Sequence, residues 1–309
     1  MTEHSNQGIT PLLSPRYWPT WFGFGLLRLT TWLPYPASMA VGRTIGRFLG
    51  SLPLATRQIA QTNIKLCFPD LTKAEQETML RDHYKSLGMG LIEAAYSWWE
   101  ADDKVKLSCS LEGLEHLEAA RSKGKGVILL GAHFTTMELA GYLLSRYIRF
   151  TPMYRDQNNR VADRIIYRGR NRYTHIIHRN DIRSLLKTLR NGLLVWYAAD
   201  QNYSGKNYAF VPFFGNPAAT NTATARIAKT SGAAVVPFSL VRDAEGHYHM
   251  SLEPALENFP GDDLVAATAR INNVIESQIL RAPEQYLWVH RRFKNQPEGM
   301  PPVYPKRKK

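Results

Sequence analysis

The chain has 309 residues, 44% hydrophobic and 21% charged, which suits one large domain or two small ones and excludes a disordered or polytopic membrane chain. Its two cysteines, Cys67 and Cys109, stand 42 positions apart with no CxxC pair, excluding a disulfide scaffold and a cysteine zinc site and suiting a reducing compartment. Lys and Arg number 39 against 26 Asp and Glu, and the formal net charge of +13 asks for an anionic partner.

In chain order, residues 17–35 (YWPTWFGFGLLRLTTWLPY) come first, with Tyr17, Trp18, Trp21 and Phe22 at one end and Trp32 and Tyr35 at the other. Aromatics at both ends of an apolar run form an interfacial belt. The run is short and carries Arg28, so a marginal span and a helix lying in the interface plane both stay open. No signal-peptide cleavage site closes it, and Pro34 and Pro36 follow. Residues 1–36 are thus expected to be a membrane anchor, and Arg43, Arg47, Arg57 and Lys65 beyond it predict that the rest stays cytoplasmic.

Helices are predicted over 38–66 and 73–99, the second from the recurrence of Leu80, Tyr84, Leu87, Leu91 and Ala95. A buried strand at 126–131 precedes a helix at 136–146, then a strand at 150–154, a helix at 161–171 and a short strand at 174–177. A helix at 181–191 leads to the strand 193–199, a helix at 221–231 and two strands, 233–240 and 247–253, about a turn at Glu245–Gly246. A helix at 262–280 and a last strand at 286–290 complete the pattern. Strands alternating with helices predict an α/β fold with a mostly parallel central sheet flanked by helices, behind an N-terminal membrane-associated helix. Residues 37–295 read as one catalytic domain and 296–309 as a basic, flexible tail.

The charge is concentrated. Between Arg146 and Arg190 lie eleven Arg and one Lys against Asp156, Asp163 and Asp181, a net +9. Guanidinium forks suit phosphates and carboxylates, whereas no zinc-finger, helix-turn-helix or RNA-binding aromatic signature points to nucleic acid. The bland alternative is a solvated basic face.

The first strand runs into GAHFTTMEL, which sets His133 at the strand's end and Glu138 five positions on. A carboxylate folded back onto the imidazole would fix its tautomer and leave Nε2 as a base. Thr135-x-x-Glu138 equally reads as a helix capping box without chemistry. No Gly-x-Ser-x-Gly occurs, so the hydroxyl to be activated would be the substrate's own. Asp200, at the carboxyl end of the 193–199 strand, could hold His133 or an arginine, or merely cap a turn. His175 and His178 lack an evident third ligand, and no metal is expected.

Four blocks carry a resemblance: RQIAQTNIKLCFPDLT (57–72), GAHFTTMEL, YRDQNN with RIIYRGRNR (154–172), and LLVWYAADQNYSGKNYAFVPFFG (193–215). Their order resembles the late acyltransferases of lipid A biosynthesis, within the lysophospholipid-acyltransferase superfamily, and the Phe-Pro-Glu-Gly-Thr run of glycerol-phosphate acyltransferases is absent. The resemblance implies transfer of a fatty acyl group from acyl carrier protein to a hydroxyl of a 3-hydroxyacyl chain on a lipid A precursor, at the bacterial inner membrane, without metal or organic cofactor. It implies His133 as base, Glu138 orienting it, Arg170 as oxyanion donor with Arg155 behind it, and Asp200 in support. Arg155, Arg164, Arg168 and Arg172 become substrate-binding candidates, the last three for the glycolipid's phosphates and sugar acids, and part of the basic stretch a dock for acidic carrier protein. Thioester hydrolysis, another glycolipid acceptor, or anionic-lipid binding without catalysis would use the same features.

Overall fold

A computed structural model describes residues 10–99 and 108–305. The basic end of the tail, Lys306 to Lys309, lies outside the described residues.

Helices α1 (Trp18–Thr30), α2 (Tyr35–Ser51), α3 (Ala55–Cys67) and α4 (Lys73–Trp99) precede the sheet. At 13 residues, α1 is about 20 Å long, short of the roughly 20 apolar residues that a spanning helix needs. No helix among the described residues is long and apolar enough to cross a membrane, which corrects the expected marginal span. What α1 offers instead is an uncovered apolar face: Trp18, Phe22, Leu26 and Leu29 are all exposed, as is Trp32 just beyond. The helix predicted over 38–66 is two, because Leu52, preceding Pro53, is extended. Helix α2 lies close on α4, where a Cβ on Gly46 would come within 2.0 Å of the Tyr84 carbonyl and one on Gly88 within 2.1 Å of that of Gly42. A capping box starts α4: Thr72 N donates to Glu75 Oε2 (2.7 Å) and Glu75 N to Thr72 Oγ1 (3.3 Å).

There follow β1 (Cys109–Glu112), α5 (Leu114–Arg121), β2 (Val127–Gly131), α6 (Met137–Ser145), β3 (Thr151–Tyr154), α7 (Arg160–Arg170), β4 (Ile177–His178), α8 (Ile182–Arg190) and β5 (Leu194–Ala198). Then come β6 (Tyr208–Phe213), β7 (Asn216–Asn221), α9 (Ala223–Ser231), β8 (Ala234–Arg242), β9 (Tyr248–Leu252) and α10 (Leu264–Arg281). The seven-stranded sheet has the order β1-β9-β8-β2-β5-β3-β4, parallel throughout except where β8 meets β9. Its central strand, β2, is buried along its whole length, the mark of a parallel strand covered on both faces. Ile128 and Leu130 enter the core beneath α8, α9 and α10, while Val127 and Leu129 enter the one beneath α6.

Several elements escaped the sequence pattern: β1, α5 and the hairpin β6–β7. The hairpin turns on Phe214 and Gly215, both at positive φ (47° and 73°), and Glu276 Oε1 accepts from Phe214 N at 2.8 Å. The strand predicted at 286–290 makes only a single antiparallel bridge, Tyr286 to Phe134. The expected flexible tail is pinned as far as Tyr304, whose hydroxyl donates to Asn63 Oδ1 (2.5 Å) and accepts from Phe293 N (3.0 Å).

Candidate active site

Strand register assembles the site. Gly131 on β2 stands opposite Ala198 on parallel β5, so two residues beyond each strand His133 meets Asp200. Asp200 Oδ1 lies 2.6 Å from His133 Nδ1, and Oδ2 accepts from the His133 backbone N at 3.1 Å. One carboxylate thus grips one residue with both oxygens. The Tyr286 hydroxyl donates to the same carboxylate. The loop is braced from below, Thr135 N donating to Gln285 O (2.8 Å) and Leu287 N to His133 O (2.9 Å). Asn63, from the first of the four blocks, fixes that brace by donating to the Trp288 and His290 carbonyls at 2.6 and 2.7 Å.

Burial by itself pushes the imidazole of His133 down; the charge and hydrogen bond of Asp200 outweigh it and hold His133 above its ordinary value, Arg170 opposing. Burial likewise pushes Asp200 up, but the His133 charge, its hydrogen bonds and that of Tyr286 bring it well below the usual carboxylate range. With Nδ1 committed to Asp200, Nε2 is the nitrogen left for proton transfer. The Asp200 side chain is 2% exposed and that of His133 23%, so the acid is sealed while the ring meets the cavity.

Glu138 does not fold back onto His133. Arg170 takes its carboxylate in a bidentate grip, Nη2 on Oε1 and Nε on Oε2 (3.1 Å), and Trp98 Nε1 donates to Oε2 at 2.9 Å. Burial pushes Glu138 up, and the Arg170 charge with these hydrogen bonds brings it below its ordinary value. The reason for the exchange is positional: α6 begins only at Met137, behind Thr136, which turns Glu138 towards α4 and α7. Nor is there a capping box here. Thr135 Oγ1 is engaged with Ser86 (2.7 Å), and no side chain caps α6.

A cavity of about 1120 Å³ opens at the carboxyl edge of the sheet, with His133, Glu138 and Arg170 in its wall. Strand β3 pairs with β5 only through Thr151 and Pro152 before leaving it for β4, and the cavity draws on both faces of the sheet there. Met137, Gly141, Phe150 and Trp196 give it an apolar flank towards α6; Met153, Leu186 and Ile227 line the α8–α9 side. Arg155 lines it. Arg164, Arg168 and Arg172 do not: on α7 the cavity-facing pair is Ile166 and Arg170, and Arg164 and Arg168 sit about 200° around the helix from them. Arg172 donates instead to the Trp98 carbonyl at 2.7 Å.

Sequence reasoning missed Trp98, Tyr286, Arg179 and Arg226, the last two also in the cavity wall. It missed His290 too, whose Nε2 accepts from Asn202 N at 3.1 Å and which burial pushes down to about 4. Tyr286 and His290 left a trace in the YLWVH run of the predicted last strand, and Arg179 in the basic stretch from Arg146 to Arg190.

An α/β fold that presents a carboxylate-held histidine over a cavity part apolar and part cationic carries the groups that general-base chemistry on an amphiphile calls for. The chain belongs to the bacterial lipid A biosynthesis acyltransferases, whose family profile matches residues 6–295. It is 39% identical over 295 residues to the lipid A biosynthesis palmitoleoyltransferase of Escherichia coli (strain K12), covering 94% of this chain and 96% of that one. With the lauroyltransferase of the same organism it shares 36% over 298 residues (96% and 97%), and with the myristoyltransferase 27% over 289 (92% and 90%).

Proposed function

We propose that the protein transfers a fatty acyl group from the thioester of acyl carrier protein to the secondary hydroxyl of a 3-hydroxyacyl chain on a lipid A precursor, with no metal or organic cofactor. The observation that carries this reading is His133 clamped by Asp200 at a cavity whose described lining includes no serine or cysteine. A histidine so placed can act on a hydroxyl brought by the acceptor.

In this reading His133 Nε2 takes the hydroxyl proton as the oxygen bonds to the thioester carbonyl carbon. Asp200 stabilises the imidazolium that forms. Collapse of the tetrahedral adduct breaks the C–S bond, and the thiolate leaves with the proton from Nε2. Arg170, held in the cavity wall by Glu138, supplies positive charge facing the oxyanion. The flank of Met137, Phe150 and Trp196 suits an acyl chain. The net +9 between Arg146 and Arg190 suits an acidic carrier protein, whose encounter such charge accelerates.

The exposed aromatics Trp18 (63%), Phe22 (69%), Trp32 (72%) and Phe48 (63%) support a protein resting on the cytoplasmic face of the bacterial inner membrane, its helices in the interface rather than across it. The test is to mix detergent-solubilised protein with acyl carrier protein thioesters of a panel of chain lengths and a lipid A precursor, and to weigh the product. A mass gain of one acyl group is expected; no gain from folded protein refutes the reading.

A further inference from the structure

The register that brings His133 to Asp200 works a second time along the same sheet edge. Tyr154 on β3 stands opposite His178 on parallel β4, so the next residue of each strand, Arg155 and Arg179, emerges side by side. Arg179 N donates to Tyr154 O at 2.7 Å, which keeps the two backbones in step. Neighbouring strands lie about 4.8 Å apart, well within the reach of two guanidinium arms converging on one ligand. From across the cavity, α9 turns Ala223, Arg226, Ile227 and Thr230 towards the same space.

The charges in this wall do not balance. Glu138 is committed to Arg170, and Asp156, the one other acid in the lining, has His178 Nε2 at 3.4 Å. Among the described residues, Arg155, Arg179 and Arg226 have no carboxylate partner. Like charges on adjacent strand ends repel, and a carboxylate ligand with two oxygens would satisfy one fork only. A phosphate, with three terminal oxygens and up to two charges, can occupy three. Met153, Leu186 and Ile227 beside them suit a phosphate carried by an amphiphile.

We propose that Arg155, Arg179 and Arg226 form the site that holds a substrate phosphate at the α8–α9 side of the cavity, opposite the flank assigned to the acyl chain. This rests on the acyltransferase reading and refines it, moving phosphate recognition from Arg164, Arg168 and Arg172 to residues that face the reaction space. The phosphate could belong to the glycolipid acceptor or to the prosthetic group of the donor carrier; the test separates the two.

The experiment compares wild-type full-length protein with Arg179→Ala, Arg226→Ala, the double variant, and the matching Arg→Lys changes. Each is assayed with a phosphorylated lipid A precursor and its phosphatase-treated form, and with acyl carrier protein thioester against an acyl-pantetheine lacking phosphate. We expect KM to rise at least about tenfold in the double variant with kcat nearly unchanged, and lysine to restore only part of it. A penalty that disappears with the dephosphorylated acceptor places the acceptor's phosphate here; one that disappears with the phosphate-free donor places the donor's. Unchanged KM for both substrates overturns the proposal while leaving acyl transfer standing. Should wild type transfer nothing, retention of the radiolabelled phosphorylated precursor decides: loss of binding in the double variant supports the site, and equal binding refutes it.

Discussion

Two carboxylates, the buried Asp200 and the half-buried Glu138, stand in or behind the same cavity wall, and in both the charged partner outweighs the upward push of burial. They differ in their partner. Asp200 holds an imidazole, which can give up its proton near neutral pH; Glu138 holds a guanidinium, which cannot. The first pair can switch, whereas the second is a fixed dipole with Arg170 facing the cavity. The proposed reaction takes a proton and develops an oxyanion, which calls for one of each, and the fold supplies them from different elements: loops after β2 and β5 for the first, α6 and α7 for the second.

The sharpest way to break this division is to remove the switch. His133→Ala should lower acyl transfer by about 10²–10⁴-fold, with the circular dichroism spectrum retained, since the loop is braced by backbone bonds to 285–287. Wild-type turnover in that variant would end the mechanism. Asp200→Asn should cost roughly 10²-fold and, in addition, move the acid limb of kcat/KM to lower pH. The sign follows from the balance at His133: burial lowers its pKa, Asp200 raises it, and only burial is left once the charge is gone.

Glu138→Gln should reduce transfer by about tenfold and destabilise the fold by about 3 kcal/mol, because Arg170 is left as a nearly buried cation without its counter-charge. Stability against pH then separates the two pairs. His133 has a raised folded pKa, so its pairing stabilises below the unfolded value of about 6.5 and fades as pH rises through the folded value. Asp200 and Glu138 have depressed pKa values, so their contribution is present above about pH 4 and fades on acidification through the folded value. The Tm deficit of Asp200→Asn should therefore peak between about pH 4 and 6.5 and shrink in alkali. That of Glu138→Gln should hold level from about pH 5 to 9, because its partner does not titrate there. Parallel curves from differential scanning calorimetry would show that the pairs are not distinct in kind.

The sequence exposed the elements better than their adjacency. Hydrophobic runs and periodicity located β2, β3, β5, β8 and β9 and the helices between them, because a strand covered on both faces and an amphipathic helix each leave a local pattern. Partner choice is set by strand register, which has no local pattern. Thus Glu138, five residues from His133, looked nearer than Asp200, 67 residues away, although Asp200 is the one in contact. The same blindness hid Arg179 behind Arg155. Capping patterns show the limit from the other side: Thr72-x-x-Glu75 and Thr135-x-x-Glu138 read alike, and only the first is a capping box. The second had its threonine claimed by Ser86 and its acid by Arg170, both from elsewhere in the chain.

The smallest effect belongs to Tyr286, the other side chain on Asp200. Its ring is buried against Phe134, Phe213 and Trp288, so Tyr286→Phe keeps the packing and deletes only the hydroxyl. A lost hydrogen bond of about 1 kcal/mol corresponds to a twofold to fivefold decline in rate at neutral pH. The direction of the pH shift is the informative part. With one donor fewer, the Asp200 charge is less shared and acts more strongly on His133, raising its pKa and moving the acid limb to higher pH, opposite to Asp200→Asn. If Tyr286 only fills space, the limb in Tyr286→Phe will coincide with that of wild type. If the carboxylate is divided between His133 and Tyr286, the two substitutions will bracket the wild-type profile from either side.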